Sequence, residues 1–307
     1  MTSPARSRPW RQVVLPIAVP IAVVALAGLA VACTSGATTE PLTASQKRIV
    51  SLAPSATEVL FAAGCGDSVV GVTAYCRHPA AATSLPKVGA YLTPGYEAIV
   101  ALRPDVVVVL PEHEEARRHL ASLALEVAEF DHRTVRGIID SIGTAADLCD
   151  TRDRADAAIA DLDGVLRRVE ARVAGRARPR VVISVSRGGE RGFGSLSAAG
   201  PGGVYHDLIQ RAGARNAVPP GPVLHPALSA EGLMRLNPDA ILEFAPGVRD
   251  AAAVRDEWRA LPSLDAVRRQ RVLVFTDEFL PVPGPRLVRF VETLARALHP
   301  GARWRTE

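Results

Sequence analysis

The chain has 307 residues, 48% of them hydrophobic and 22% charged, with a formal charge of +4. That length and apolar content suffice for two domains with a substantial core. The basic balance does not point to nucleic acid, because three arginines sit within the first eleven residues and the remainder holds no basic block and no basic stripe interleaved with aromatics.

The chain opens with Arg6, Arg8 and Arg11, followed by an uncharged, mostly apolar run from Val13 to Ala32 that ends in Leu29-Ala-Val-Ala-Cys33. A positive head, an apolar middle and small residues before a cysteine predict an export signal over residues 1–32, with Cys33 as the lipidated residue of a lipoprotein. About twenty apolar residues also suffice to span a bilayer, but Pro16 and Pro20 disfavour a stable spanning helix. Ala30 stands where leucine is commonest in such sites. Removing residues 1–32 lowers the formal charge to +1. The polar stretch 33–46 reads as a flexible tether, and the predicted location is the periplasm or the outer face of the cytoplasmic membrane, anchored through lipid.

From Lys47, β-branched runs alternate with helical ones, which predicts an α/β fold. Residues 47–133 form the first α/β lobe. Arg48 to Leu52 is its first strand, and Ser55 with Glu58 three residues later is expected to make a capping box for a helix that ends at Gly64. Val69 to Thr73, Asp105 to Leu110 and Glu126 to Phe130 supply further strands, and Glu97 opens a short helix. Strands that are apolar throughout favour mostly parallel sheets covered on both faces.

Residues 134–178 form a helical region. Thr134 to Cys149 and Arg152 to Val173 carry apolar residues at helical spacing, among them Ala158, Leu162, Val165, Leu166 and Val169. A 22-residue helix is about 33 Å long, enough to link two lobes.

Residues 179–307 restart with Arg180-Val-Val-Ile-Ser-Val-Ser and form a second α/β lobe. The glycine-rich stretch after it has neither a Walker-type nor a G-x-G-x-x-G register, so it predicts a mobile loop at a cleft edge and no nucleotide site. Asp239 to Phe244 and Arg271 to Thr276 are strands, and Arg286 to Leu298 is the last helix.

The two lobes echo each other. Glu97-Ala-Ile-Val-Ala-Leu102-Arg-Pro104-Asp105 and Glu231-Gly-Leu-Met-Arg-Leu236-Asn-Pro238-Asp239 keep glutamate, leucine, proline and aspartate in one register. The segments beginning at Val59 and Leu208 share an Ala-Gly pair, Ala63-Gly64 and Ala212-Gly213. Such a repeat predicts two similar lobes with a cleft between them.

Beyond Cys33 the chain has Cys65, Cys76 and Cys149. One disulfide with one cysteine left over suits an exported protein, and the spacing does not choose the pair. Buried reduced cysteines are the alternative. The lone Cys76-x-His78 is not a metal motif of any strength.

The segments RIVSLAPSATEVLFAAGCGDSVVGVTAYC, VGAYLTPGYEAIVALRPDVVVVLPEHEE and PALSAEGLMRLNPDAILE, with the closing PVPGPRLVRFVETLARALHP, resemble the periplasmic substrate-binding proteins of vitamin B12 and iron-complex ABC importers. The resemblance implies two α/β lobes joined by one rigid backbone helix, with ligand in the cleft between them. It implies no catalysis and no cofactor: the metal chelate, a corrinoid or an iron complex, is cargo. It also assigns Glu97 and Glu231 to docking on arginines of the ABC permease transmembrane subunits, where bidentate pairs fix orientation. Each glutamate also suits the start of a helix by charge alone.

Ligand contacts are expected on loops after the carboxyl ends of strands. Those loops carry Tyr75, Tyr91, Glu112, His113, Phe193, His225 and Phe279, a set that suits a large flat ligand. By the resemblance, His225 stands near a position where vitamin B12 binders place a tryptophan against the corrin. Tyrosine and histidine also serve as axial ligands of haem iron, but no metal-ligand set is predicted. Arg77, Arg187, Arg191 and Arg286 are available for the carboxylates of a siderophore or haem. The leading expectation is a monomeric receptor that delivers cobalamin to a permease, with a siderophore or haem receptor as the alternative. An exported enzyme using the same cleft is the rival of another class, and the chain has no G-x-S-x-G elbow and no H-E-x-x-H to support it.

Overall fold

The first lobe is built on β1 (Ile49–Ser51), which is buried throughout. It continues through α1 (Pro54–Ala62), β2 (Val69–Val72), α2 (Tyr96–Ala101), β3 (Val106–Val109), α3 (Glu114–Ser122) and β4 (Glu126–Glu129). The strands pair parallel in the order β2-β1-β3-β4. Four consecutive buried valines make β3, and their period-2 alternation feeds two cores. Val106 and Val108 join α1 on one face, while Val107 and Val109 join Ile99, Ala116 and Leu120 on the other. This protein is described by a computed structural model for residues 46–188 and 195–304, all of which fall within one compact unit, Ser45–Glu307.

Two helices follow, α4 (Val135–Cys149) and α5 (Arg152–Val173). Thr134 caps α4 through its side chain, which accepts a hydrogen bond from the Gly137 N–H at 2.9 Å. Asp150, in the left-handed region at φ 55°, separates the two helices. The 22 residues of α5 bury Ala155, Leu162, Val165 and Val169 and pack against α4 and the last helix.

The second lobe contains β5 (Arg180–Gly188), β6 (Ser195–Ala198), α6 (Val204–Arg211), β7 (Arg215–Asn216), β8 (Ala227–Leu228), α7 (Ala230–Leu236), β9 (Ala240–Phe244), α8 (Ala251–Glu257), α9 (Asp265–Arg268), β10 (Val272–Phe275) and α10 (Pro285–Leu298). Parallel pairing of β5 with β7 and β9, and of β9 with β10, repeats the plan of the first sheet. The addition is an antiparallel pairing of β5 with β6 and of β6 with β8. The glycine-rich stretch expected to be a loop therefore contributes strand residues on both sides, through Gly188 and from Ser195. Phe193 and Arg191 lie outside the described residues, as do the predicted signal, the tether to Ser45 and Cys33. Among the described residues no helix is long and apolar enough to cross a membrane.

The sequence echoes have a structural cause. Arg103 and Asn237, equivalent in the two patterns, both adopt positive φ (48° and 38°) and turn the chain out of α2 and α7. Asp105 then accepts the Arg48 N–H at 2.7 Å, as Asp239 accepts the Arg180 N–H at 2.7 Å, fixing the start of β1 and of β5. In the second echo, Gly64 and Gly213 take φ 86° and 78°, the left-handed turn that ends α1 and α6.

One core runs through both lobes. Ile49, Leu60, Ile138, Leu162, Ile183, Leu242, Phe290 and Leu294 belong to a single buried cluster, while separate clusters cover the outer face of each sheet. The expected capping box at Ser55 and Glu58 does not form. α1 starts two residues earlier, with Pro54 at its first position and Ala53 before it, and no side chain caps it. Proline presets that turn, and tertiary contacts take Ser55 and Glu58 instead. Cys65 and Cys149 form a disulfide that ties the loop after α1 to the last residue of α4, and Cys76 is free and buried.

Candidate functional site

Loops at the carboxyl ends of β1, β2, β9 and β10 converge on two adjoining cavities, each of about 510 Å³. Strand-end crevices of this kind are where open α/β sheets hold ligands. The first cavity is mainly apolar. Pro54, Ser55, Tyr75, Ala90, Tyr91, Leu92 and Thr93 of the first lobe face Pro281, Val282 and Pro283 of the second. The other cavity shares Pro54, Tyr75, Pro281 and Val282 and adds Glu58, Arg77, His78, Pro246, Gly247, Glu278 and Arg286. Tyr75 lines both cavities and is 57% exposed.

Tyr91 is held from behind. Its hydroxyl donates to Glu112 Oε1, and its carbonyl oxygen accepts from His113 Nε2 at 2.9 Å. His113 Nδ1 accepts the Leu110 N–H at 3.0 Å, which fixes the proton on Nε2. The imidazole meets the Tyr91 ring edge-on at 4.7 Å. Burial, then the hydrogen bond to Glu112, pushes the Tyr91 phenol well above its ordinary value, and burial draws His113 below its own. Both ring nitrogens of His113 are thus engaged within the protein. Glu112 and His113 orient Tyr91, and neither lines the cavities.

The other predicted contacts are spread around this centre. Phe279, half-buried, lies 5.7 Å from Phe290 and carries the Arg286 guanidinium at 5.2 Å over its ring. His225 is exposed, with its ring 5.9 Å from Tyr205, whose hydroxyl donates to Leu280 O at 2.8 Å. His225 does not line either interlobe cavity. Of the arginines, Arg77 and Arg286 line the second cavity, whereas Arg187 pairs with Glu243 at 2.8 Å and Glu257 at 2.6 Å in the second lobe. Among the described residues no cluster of three or more histidine, cysteine, aspartate or glutamate side chains could hold a metal ion.

Two elements of the site were not foreseen. The Pro281–Pro283 wall carries no charged or aromatic side chain to attract notice, and only the repeated prolines of Pro281-Val-Pro-Gly-Pro285 mark it. Ser55, in the wall of the apolar cavity, is 2.9 Å from His132 Nδ1. His132 is buried, and that burial lowers its pKa to about 4.

Glu97 and Glu231 stand away from the cavities. Each is the second residue of a short helix, and each is exposed.

Residues 49–278 match the family model described as periplasmic binding protein. The chain is 26% identical over 261 residues to a vitamin B12-binding protein of Pectobacterium carotovorum subsp. carotovorum (strain PC1), covering 83% of this chain and 91% of that one. Among solved structures, the periplasmic vitamin B12 binding protein BtuF of Vibrio cholerae superposes with a TM-score of 0.74 at 25% identity, over 83% of this chain and 97% of that one. The periplasmic heme-binding protein BhuT, in complex with two hemes, gives a TM-score of 0.71 at 29% identity, over 83% and 98%.

Proposed function

Because the chain belongs to the periplasmic binding protein family, among the substrate-binding proteins of importers for vitamin B12 and iron complexes, we propose that it captures cobalamin in the cleft between its lobes and delivers it to an ABC permease. The observation that carries this reading is the apolar cavity walled by Tyr75 and Tyr91 on one side and Pro281–Pro283 on the other. Two aromatic faces against a rigid proline wall suit a broad, flat, largely apolar macrocycle. Tyr75 and Tyr91 are the direct contacts in this reading, with Glu112 and His113 positioning Tyr91. Phe279 and His225 extend the surface on the second lobe.

A haem or ferric siderophore is the second reading, and Arg77 favours it. Arg77 lines the adjoining cavity with no ion-pair partner among the described residues, and an unpaired guanidinium suits a carboxylate. Calorimetric titration of residues 34–307 with cyanocobalamin, haemin and a ferric hydroxamate decides between the two. Saturable one-to-one binding of cyanocobalamin supports the corrinoid reading. Binding of haemin or the hydroxamate alone, weakened by Arg77→Ala, moves the ligand. Silence with all three removes these ligands and reopens the exported-enzyme and interaction readings.

Glu97 and Glu231 dock the receptor on its permease in the same proposal. Reversing both, as Glu97→Arg with Glu231→Arg, is expected to abolish uptake and leave ligand affinity unchanged. Lipidation of Cys33 anchors the receptor to the outer face of the membrane, and labelling with a fatty-acid analogue that is lost in Cys33→Ser tests it.

A further inference from the structure

The repeated helices α2 and α7 match beyond their glutamates. Glu97 and Glu231 are exposed, Ile99 and Leu233 are buried at 0% and 1%, and Val100 and Met234 are exposed again at 47% and 40%. Residues three apart share a helix face, so each lobe presents a carboxylate beside an uncovered apolar side chain, at the same two positions of the same helix. A single exposed apolar residue is ordinary on any protein surface. Two at equivalent positions, each beside an equivalent carboxylate, form a repeated surface unit.

The carboxylates are uncommitted. Among the described residues neither Glu97 nor Glu231 has a side-chain hydrogen bond or an ion pair. The Met234 sulfur receives only the Ser263 hydroxyl, at 3.3 Å. An exposed carboxylate in water contributes little to affinity on its own. Apolar contact at its flank excludes solvent and strengthens the ion pair it borders.

We infer that Val100 and Met234 are the apolar halves of two matching contact points, and that the partner is a permease whose two equivalent subunits each offer a basic group next to an apolar recess. This rests on the docking role of Glu97 and Glu231. Receptor and partner then meet in a two-point contact in which charge sets orientation and the apolar residue supplies residence time. The internal repeat, with an exposed carboxylate and an exposed apolar side chain in each copy, selects a partner with two equivalent basic sites over a single-site partner.

The test measures binding of the full-length receptor to its permease in nanodiscs, with uptake of cyanocobalamin in parallel. Val100→Ser and Met234→Ser are each expected to weaken the complex by about three- to tenfold, from the apolar area removed, with a loss that persists at raised salt. Loss of affinity in Glu97→Arg with Glu231→Arg shows the docking role independently. Leu123→Ser removes an apolar side chain of similar exposure, 41%, outside both helices, and is expected to change nothing. If the glutamate variants lose affinity and the two serine variants match the unsubstituted receptor, this inference fails while the docking role stands. If neither set loses affinity, both fall. A receptor dimer that Val100→Ser dissociates would overturn the inference in favour of a second copy of this chain.

Discussion

Glu58 on α1 and Arg286 on α10 are 228 residues apart in the chain and form an ion pair, with Arg286 Nε 3.1 Å and Nη2 2.5 Å from the same oxygen, Glu58 Oε1. The Glu58 side chain is 3% exposed and the Arg286 side chain 33%, so the two halves of the pair are solvated unequally. Removing the guanidinium leaves a buried, uncompensated charge, whereas removing the carboxylate charge leaves an arginine that water can reach. Arg286→Met is therefore expected to cost about 3 kcal/mol of unfolding free energy, and Glu58→Gln distinctly less. Urea unfolding of both variants and their double mutant measures the asymmetry. Equal losses would show that the pair acts through packing alone.

Tyr91 is held by its hydroxyl and its carbonyl oxygen, and the two single changes separate its roles. Tyr91→Phe keeps the aromatic wall and releases Glu112, so affinity for cyanocobalamin is expected to fall less than about tenfold, the scale of one hydrogen bond. Tyr91→Ala removes the wall and is expected to weaken binding more. Titration calorimetry gives both numbers, and a larger loss from Phe than from Ala would contradict the placement of the ring against ligand.

His132 gives the fold an acid-sensitive element. Its folded pKa of about 4 lies below the ordinary histidine value of about 6.5, so between those values the unfolded chain binds more protons than the folded one. The stability it contributes is fully present above pH 6.5 and is lost as pH falls towards 4, amounting to about 3 kcal/mol at most over that window. Glu243, raised chiefly by burial, acts in the opposite sense, so the wild-type profile alone does not isolate His132. Thermal melts of His132→Gln and wild type from pH 7 to pH 4 are expected to converge as the pH falls.

The disulfide between Cys65 and Cys149 closes a separation of 84 residues. Constraint of the unfolded chain over such a loop contributes about 2–4 kcal/mol, so reduction is expected to lower the melting temperature while ligand binding at room temperature persists. Cys76 Sγ lies 3.1 Å from the Thr57 hydroxyl in the core and is expected to react with iodoacetamide only after unfolding. Mass spectrometry of the alkylated native protein checks the pairing directly.

The lobes were legible in the sequence because their cause is local. Apolar runs such as Val106–Val109 and the aspartates that clamp β1 and β5 sit at fixed distances along the chain. Helices α4 and α5 were legible for the same reason, through their apolar spacing. The antiparallel pairing of β6 with β8 was not, since both strands are short and α6 and β7 separate them in the chain. The place of Tyr75 and Tyr91 in the cavity wall was legible because they follow a strand. The roles of Ser55, Glu58 and His113 were not, because each is set by a partner distant in sequence or by a hydrogen bond that no spacing encodes.

Asp105 and Asp239 provide the most direct test that the lobes are energetic as well as geometric repeats. Each carboxylate accepts the N–H of the arginine at which its lobe's leading strand begins or is about to begin, Arg48 or Arg180, at 2.7 Å in both cases, and each residue returns its own N–H to the carbonyl of the same arginine, at 2.8 Å and 2.7 Å. A charged acceptor on a backbone donor contributes about 1.5–3 kcal/mol, reduced for positions this near solvent. Asp105→Ala and Asp239→Ala are therefore expected to destabilise by similar amounts. Asparagine at either site, which retains an acceptor oxygen, is expected to recover part of the loss. The two sites share no partner, so the double variant is expected to lose the sum of the single losses to within about 0.5 kcal/mol. Coupling well above that limit in urea unfolding would mean that the start of one lobe's leading strand is felt by the other through the core they share.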